Sequence, residues 1–332
     1  MNTILFLLPF LLAYTVLAVY AERKISAFIQ NRLGPMEAGP FGIFQTVADL
    51  LKLIQKEHIL PTQSRPLLFR LAPLIIFASV FTAFAVLPVG PKWRGAEFDS
   101  GLFLLLAILS IEVVGILMAG YASANKYSTL GAIRSVAQLI SYEIPLALVV
   151  LTVVILGTGT LDLFVISENQ APGIFSWNIF RNPLLIPAWI IFFICTLAES
   201  NRAPFDLPEA ESELVAGFHT EYSGFPWAVI MLAEYAMMLL AGLLGAILFF
   251  GSYHSPFSNL GTFLIGNWTS GPVWGIFWLF SKALLFVMMQ IWVRWTFPRV
   301  RINQLFTMSW KYLTPGALGL LFAAGLSKLI FR

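Results

Sequence analysis

Long apolar stretches alternate with short polar clusters along the whole chain. Eight stretches have about the 20 residues that a helix needs to cross a 30 Å hydrocarbon core, whereas a membrane barrel would show alternating segments of about ten residues. Because backbone polar groups in lipid must be satisfied internally, these stretches predict helices. We therefore expect an all-α polytopic transmembrane bundle of about eight spans, forming a single domain over 1–332, with spans at 3–22, 70–90, 101–121, 135–157, 184–200, 226–250, 273–295 and 313–331.

The first apolar stretch is predicted to be a retained helix. It begins at Thr3 with no cationic region before it, and it leads into Glu22-Arg23-Lys24. A secretory signal peptide would have a basic start and a small-residue cleavage site.

Basic residues are distributed unevenly between the two sides of the predicted spans. Of 20 Lys and Arg, 14 lie at the connections after spans one, three, five and seven, 5 lie at the other flanks, and Lys282 lies within span seven. Since positive connections stay in the cytoplasm, both termini are expected outside a cell inner membrane, or a mitochondrial inner membrane if the chain is organelle-encoded.

The net charge is only +3, and anionic headgroups account for the basic clusters, so no nucleic acid partner is expected.

The first cytoplasmic connection contains an amphipathic segment from Ile43 to Glu57. Fifteen residues are too few to span, so the pattern predicts a helix that lies in the membrane interface or packs on the ends of neighbouring spans, two compatible interpretations. Its apolar stripe is Ile43, Val47, Leu50, Leu51 and Ile54, and its polar stripe is Gln45, Asp49, Lys52 and Lys56.

The cytoplasmic connection between spans five and six, 201–225, is acidic where positive charge is expected. Composition alone is equally consistent with a solvated loop. However, its apolar residues make it too hydrophobic to be simply solvated, so we expect a folded acidic loop that begins a proton path or docks a partner. The acids are Asp206, Glu209, Glu211, Glu213 and Glu221, against Arg202, and the apolar residues are Phe205, Leu207, Leu214, Val215 and Phe218.

Several ionisable residues interrupt or end the apolar stretches. A charge at the bilayer centre costs about 3 kcal/mol or more, so such residues usually face a cavity or a partner and mark a function. Capping of a helix end is the alternative for Glu22 and Glu199. Lys282 is expected to pair with an acid. The carboxylates are Glu22, Glu112, Glu143, Glu199 and Glu234; Glu143 stands out because Pro145 and the neighbouring Ser and Tyr suggest loosened backbone around it.

The chain has one cysteine, Cys195, inside an apolar stretch. A disulfide needs two cysteines and an iron–sulfur cluster about four, and no nucleotide or haem motif is present. We expect no cofactor or metal on this chain.

Together these stretches resemble the quinone-site membrane subunit of respiratory complex I, the H-type subunit of bacterial NADH:quinone oxidoreductase and its mitochondrial equivalent, subunit one. The resemblance covers nearly the whole chain in order. Two positions depart from the usual pattern: His219 often appears as Asn, and Asn303 often as Asp, so Asn303 is given no proton role. The matching segments are 22–24, 30–35, 48–57, 125–143, 198–222, 233–235, 298–305 and 310–311.

The resemblance implies a non-redox subunit that forms the membrane part of a ubiquinone or menaquinone chamber and couples quinone reduction to proton pumping. Quinone would be the substrate, with iron–sulfur clusters and FMN in partner subunits. The partners would be the other subunits of both arms, together with membrane lipid. The resemblance assigns Arg32, Asp49 and Phe218 to the chamber or its entrance, and it assigns proton relay to Glu143, Glu199, Glu209, Glu211, Glu213, Glu221 and Glu234.

Two alternatives remain at this point. One is the homologous membrane subunit of a membrane-bound hydrogenase-type complex, which shares the ancestry but not always the quinone. The other is an ion-coupled secondary transporter, which usually shows two related halves with interrupted helices; the sequence shows neither.

Overall fold

The computed structural model describes residues 2–90, 98–171, 173–207, 214–257 and 272–330. Throughout these ranges the chain forms helices and connecting loops without a β-strand, which confirms the all-α prediction. The helices are α1 (Asn2–Ile29), α2 (Gln45–Gln55), α3 (Pro66–Phe84), α4 (Gly101–Ala122), α5 (Lys126–Leu156), α6 (Leu163–Glu168), α7 (Asn178–Arg181), α8 (Leu185–Glu199), α9 (Phe225–Phe249), α10 (Pro272–Thr296) and α11 (Ile302–Ile330).

Six helices of the described ranges, namely α3, α4, α5, α9, α10 and α11, are long and apolar enough to cross a membrane. The 28-residue α1 contains the first predicted span, 3–22, and continues to Ile29. By contrast, α8 has 15 residues and reaches about 22 Å at 1.5 Å per residue. The polytopic membrane architecture is therefore confirmed, while crossings by α1 and α8 remain predictions.

At the centre of the bundle lies α9, whose apolar window is entirely buried. It packs against α1, α3, α8 and α10, and a helix that is apolar on all sides belongs in such an interior position. Two glycines allow α10 to approach closely. A Cβ on Gly242 would lie 2.7 Å from the Ala283 carbonyl oxygen, and one on Gly245 would lie 2.8 Å from the Phe286 ring.

Side chains from other segments satisfy the last carbonyls of α9. Gln170 donates to the Ile247 carbonyl at 2.7 Å, and Asn178 donates to the Leu248 carbonyl at 2.8 Å. These bonds matter because the final carbonyls of a helix have no intrahelical donors.

Lys282 lies near the same end of α9, and among the described residues it contacts backbone carbonyls and an aromatic ring instead of the acid expected from the sequence. Its ammonium donates to the carbonyls of Ser252 and His254 at 2.8 and 2.9 Å and lies 4.3 Å from the centre of the Trp177 ring. Carbonyl dipoles and an aromatic face thus surround this buried cation.

Two helices begin well before their predicted spans. α5 starts at Lys126, because the side chain of Asn125 caps it by accepting from the Tyr127 N–H. α11 starts at Ile302 instead of 313 and contains a π-helical segment, Met308–Leu313. The hydropathy pattern predicts the part of a helix that suits lipid, whereas capping residues determine where the helix begins or ends.

The amphipathic helix forms as predicted, over Gln45–Gln55. It packs against α1 and α9, and Arg23 of α1 forms an ion pair with Asp49 at 2.5 Å. Val47, Leu51 and Ile54 remain exposed. The helix therefore packs on the bundle through Asp49, and its exposed apolar residues leave the predicted placement in the membrane interface open as a prediction.

Candidate functional site

Charged side chains from three helices and one loop meet in a buried group that we call the ion cluster: Glu22, Arg202, Glu234, Tyr235 and Arg294. Arg202 lies between two carboxylates, 3.7 Å from Glu22 and 3.6 Å from Glu234. Glu22 also pairs with Arg294 and accepts a hydrogen bond of 2.7 Å from the Tyr235 hydroxyl. The Arg202 guanidinium stacks 4.3 Å from the Tyr235 ring centre.

Among the described residues of the ion cluster, two arginines face two carboxylates. Glu22, Arg202 and Glu234 are each 6% exposed, so each charge depends on its partners for stabilisation. Glu22 is therefore a member of a buried charge network, which goes beyond the helix-capping alternative considered for it.

A second polar group, the acid cavity, is formed by Ser110, Glu112, Glu143 and Glu199. Ser110 and Glu112 come from α4, Glu143 from α5 and Glu199 from the end of α8; Met237 of α9 also lines the space. The Ser110 hydroxyl donates to Glu143, and the volume is about sufficient for one water molecule. Three intramembrane carboxylates that are far apart in sequence thus share one cavity.

A tight corner at 198–202 joins the acid cavity to the ion cluster. Glu199 ends α8, and Arg202 follows three residues later. Gln138 of α5 donates to the Ala198 carbonyl at 2.7 Å and to the Asn201 side-chain oxygen at 3.3 Å. Asn201 adopts a φ of 49°, in the left-handed region that Asn tolerates better than most residues. Polar side chains of α5 therefore fix the distance between the two groups.

The described parts of the acidic loop fold against the bundle, as the apolar content predicts. Phe205, Leu207, Leu214 and Phe218 are buried, whereas Val215 is 59% exposed. Phe205 packs edge-on against Tyr142 of α5 with ring centres 5.3 Å apart. Further along, Tyr222 stacks on Phe69 of α3 at 4.1 Å. The loop is anchored at both of its described ends.

The acids of the loop lie in different surroundings. Asp206 pairs with Arg299 at 2.9 Å, and Glu221 accepts from the Asn125 side-chain amide at 2.6 Å. Glu209, Glu211 and Glu213 lie outside the described residues. The two described acids therefore connect the loop to the start of α5 and to the segment before α11.

His219 is buried within the same loop. Burial lowers the pKa of His219 to about 4, although the nearby Asp206 carboxylate raises it. At neutral pH the imidazole is therefore uncharged, and its neutral state suits the apolar surroundings.

The three residues predicted for a quinone chamber lie in separate places. Arg32 is exposed and donates to Gln30 at 2.7 Å, and Asp49 is held by Arg23 and Gln45. Phe218 is buried beside α5, where Ser128 donates to its carbonyl at 2.9 Å. Among the described contacts, no bond or ring contact joins the three.

Glu143, Glu199 and Glu234 were predicted from the sequence as site residues, and the structure places the first two in the acid cavity and the third in the ion cluster. The sequence analysis did not identify Ser110, Tyr235 and Arg294. Tyr235 directly follows Glu234, and Arg294 lies at the end of a span beside a basic connection. These positions were the signals in the sequence that could have drawn attention to Tyr235 and Arg294. Their shared partner could not be predicted, because Glu22 is more than 200 residues away from both in sequence.

The acid cavity and the ion cluster contain carboxylates, which can bind and release protons. Carboxylates that share a site titrate as a group, and the group changes its proton count when a nearby charge changes. Asp, Glu and His in such intramembrane positions are typical of proton relays.

Residues 1–325 match the model of a family described as NADH dehydrogenase. A protein of Cytophaga hutchinsonii, named as the second H-type subunit of NADH-quinone oxidoreductase, is 49% identical, with 98% of each chain covered. The proteins named as the H-type subunit of NADH-quinone oxidoreductase in Chlorobaculum tepidum and Chlorobium luteolum are each 51% identical, over 90% of this chain and 84% and 81% of their own lengths.

Proposed function

Because the chain belongs to the NADH dehydrogenase family, we propose that it is a membrane subunit of a proton-pumping NADH:quinone oxidoreductase. It contributes the membrane part of the quinone chamber and couples quinone reduction to proton translocation. Its relatives are named for this oxidoreductase, which favours this interpretation over a hydrogenase-type complex or a transporter.

Electrons come from iron–sulfur clusters and FMN in partner subunits in this proposal, since a single cysteine cannot hold a cluster. The other subunits of the peripheral and membrane arms are its partners, ubiquinone or menaquinone is the substrate, and lipid surrounds the spans. The location is the cell inner membrane, with both termini on the outer face. Arg32, Asp49 and Phe218 line the chamber or its entrance.

The observation that carries the proposal is the acid cavity and its link to the ion cluster. Glu112, Glu143 and Glu199 line one small cavity, and the corner at 198–202 leads directly to Arg202, which bridges Glu22 and Glu234. A change of charge at one group alters the electrostatic potential at the other, because buried charges are poorly screened. Quinone reduction therefore changes the number of protons held in the cavity.

The acidic loop provides the connection to the quinone side. Glu221 is fixed to the start of α5 by Asn125, and α5 carries Glu143. Glu209, Glu211 and Glu213 complete the proposed relay with Glu221, Glu143, Glu199 and Glu234.

The decisive experiment replaces Glu143 by Gln in the assembled complex in proteoliposomes. Loss of a positioned proton carrier typically lowers a rate by about 100-fold or more, so NADH-driven proton uptake should fall strongly while the complex still assembles. Glu143→Asp should be milder, because it keeps the carboxylate.

Asp99→Asn provides the matched control, since Asp99 is exposed between α3 and α4 and has no part in either polar group. Glu168 is less suitable, because it accepts a hydrogen bond from Tyr253. Wild-type pumping in the Glu143→Gln complex would refute the proposed relay.

A further inference from the structure

Pro145 leaves one carbonyl of α5 without its usual donor. Proline has no backbone N–H, so the Ser141 carbonyl, four residues earlier, cannot receive the i→i+4 hydrogen bond of an α-helix. A buried carbonyl in this position needs another donor.

Ser309 of α11 supplies that donor. Its hydroxyl donates to the Ser141 carbonyl at 2.6 Å, and Ser309 is fully buried. The neighbouring Trp310 indole donates to the Ser141 hydroxyl at 3.3 Å. Two consecutive residues of α11 therefore hold one residue of α5.

The next residue of α5 is attached to the same helix. The Tyr142 hydroxyl donates to the Leu305 carbonyl at 3.2 Å, about one turn before Ser309. The attachment lies at the π-helical segment Met308–Leu313. Such segments carry one extra residue in a turn and are frequent at functional sites.

Glu143 follows directly and points the other way, into the acid cavity, where it accepts from Ser110 of α4. Because successive helix residues differ by about 100°, fixing Ser141 and Tyr142 on α11 fixes the direction of Glu143. Among the described residues that line the cavity, the titratable groups that face Glu143 are Glu112 from α4 and Glu199 from α8. From α9, Met237 lines the cavity, and the residues of α11 in contact here do not titrate.

We propose that Ser309 is a positioning residue for Glu143: it replaces the hydrogen bond that Pro145 removes and so holds the α5 turn that aims Glu143 at Ser110. This inference rests on the proposed relay role of Glu143. It assigns a role in proton transfer to the π-helical segment of α11, which itself contributes no carboxylate to the cavity.

The test begins with Ser309→Ala in the assembled complex, with activity measured against pH. A buried carbonyl without a donor is expected to lower the population of the α5 turn that aims Glu143 at Ser110 roughly ten-fold. Coupled activity should fall with that population, and the pH profile should shift because Glu143 then samples other orientations among Glu112 and Glu199. Ser79→Ala is the matched control. Ser79 is also buried, but its hydroxyl donates within its own helix, to Ile76 at 2.8 Å, so its rate and profile should match the wild type.

A second background makes the test specific for the missing donor. Pro145→Ala restores an N–H opposite the Ser141 carbonyl, so Ser309→Ala should cost much less there than in the Pro145 protein. A wild-type rate and pH profile for Ser309→Ala, or equal losses in both backgrounds, would overturn the inference. If complexes with Pro145→Ala do not assemble, the pH profile of Ser309→Ala decides alone.

The Glu143→Gln complex separates this inference from the function on which it rests. If Glu143→Gln pumps normally, the relay fails. If Glu143→Gln is slow but Ser309→Ala behaves as the wild type, only the positioning role of Ser309 fails.

Discussion

At the scale of single residues, the stability of the ion cluster depends on a matched set of charges. Arg202 is buried between Glu22 and Glu234, and removal of one partner from a buried ion pair leaves an uncompensated charge. Glu234, a member of the proposed relay, is therefore also expected to contribute to the stability of the fold.

Arg202→Ala should lower the free energy of unfolding by about 3–5 kcal/mol, the usual cost of stranding a buried charge. The thermal unfolding midpoint of the detergent-solubilised protein measures this. Arg23→Ala is the control, since Arg23 and Asp49 are 42% and 37% exposed and an exposed pair contributes about 1 kcal/mol or less. Equal effects of both substitutions would contradict the buried pairing.

His219 gives the acidic loop a defined response to pH. Burial lowers its pKa to about 4, below the 6.5 of an unfolded histidine. Between pH 6.5 and 4 the unfolded chain therefore binds more protons than the folded one, and stability falls as the pH falls. Below pH 4 both states are protonated, and the destabilisation of the folded state has reached its full size.

His219→Asn removes this titration. Compared with the wild type, the variant should retain about 2–3 kcal/mol more stability on going from pH 7 to pH 4.5, as measured by thermal unfolding at both values. Identical pH dependence in the two proteins would show that His219 is charged or solvated in the folded state.

At the scale of helices, close packing of α9 and α10 requires glycine. Gly242→Ala would place a methyl group 2.7 Å from the Ala283 carbonyl, and such overpacking costs about 1–3 kcal/mol. Gly319→Ala of α11 meets no atom within 4 Å and should be neutral or stabilising by up to about 1 kcal/mol, since Ala favours helix. Thermal unfolding of both variants compares them, and equal effects would argue against the close crossing.

The sequence predicted helices better than it predicted their ends and partners. The apolar runs located both ends of α4, α8, α9 and α10 to within one residue, because lipid imposes a long, uniform pattern, whereas α3 begins four residues and ends six residues before its predicted span. It could not show that α11 begins at Ile302 or that Lys282 binds carbonyls, because both depend on contacts with distant segments. The carboxylates themselves stood out, whereas Ser110 and Ser309 look ordinary until the fold brings Glu143 and Ser141 beside them.

At the scale of the whole molecule, the two ends of α9 differ in character. Its first turn lies beside α2, where a Cβ on Gly224 would be 3.0 Å from the Lys56 carbonyl, and its last turn is held by Gln170 and Asn178. The connection that holds α2, one of those predicted to be cytoplasmic, therefore lies at the first end of α9.

Topology can be tested by labelling. In a Cys195→Ala background, cysteines placed at Asn2 and Ser327 should react with an impermeant maleimide from the periplasmic face only, because positive connections hold the opposite face in the cytoplasm. A cysteine at Lys52 serves as the control and should react only in inverted vesicles. Cytoplasmic labelling at Asn2 or Ser327 would overturn the predicted orientation.

The shortness of α8 has a consequence for hydrogen–deuterium exchange. Amides outside regular helices usually exchange quickly, because water reaches them. Here, however, the segment that continues α8 toward the membrane surface is packed inside the protein: Asn201, Phe205 and Leu207 are buried, the Phe205 N–H bonds to the Arg202 carbonyl, and the Val300 N–H bonds to the Pro204 carbonyl. We expect the amides of Ser200, Asn201 and Phe205, which donate to the carbonyls of Thr196, Ala198 and Arg202, to exchange as slowly as those of the flanking helix. Rapid exchange there would mean that water enters the protein beside Glu199.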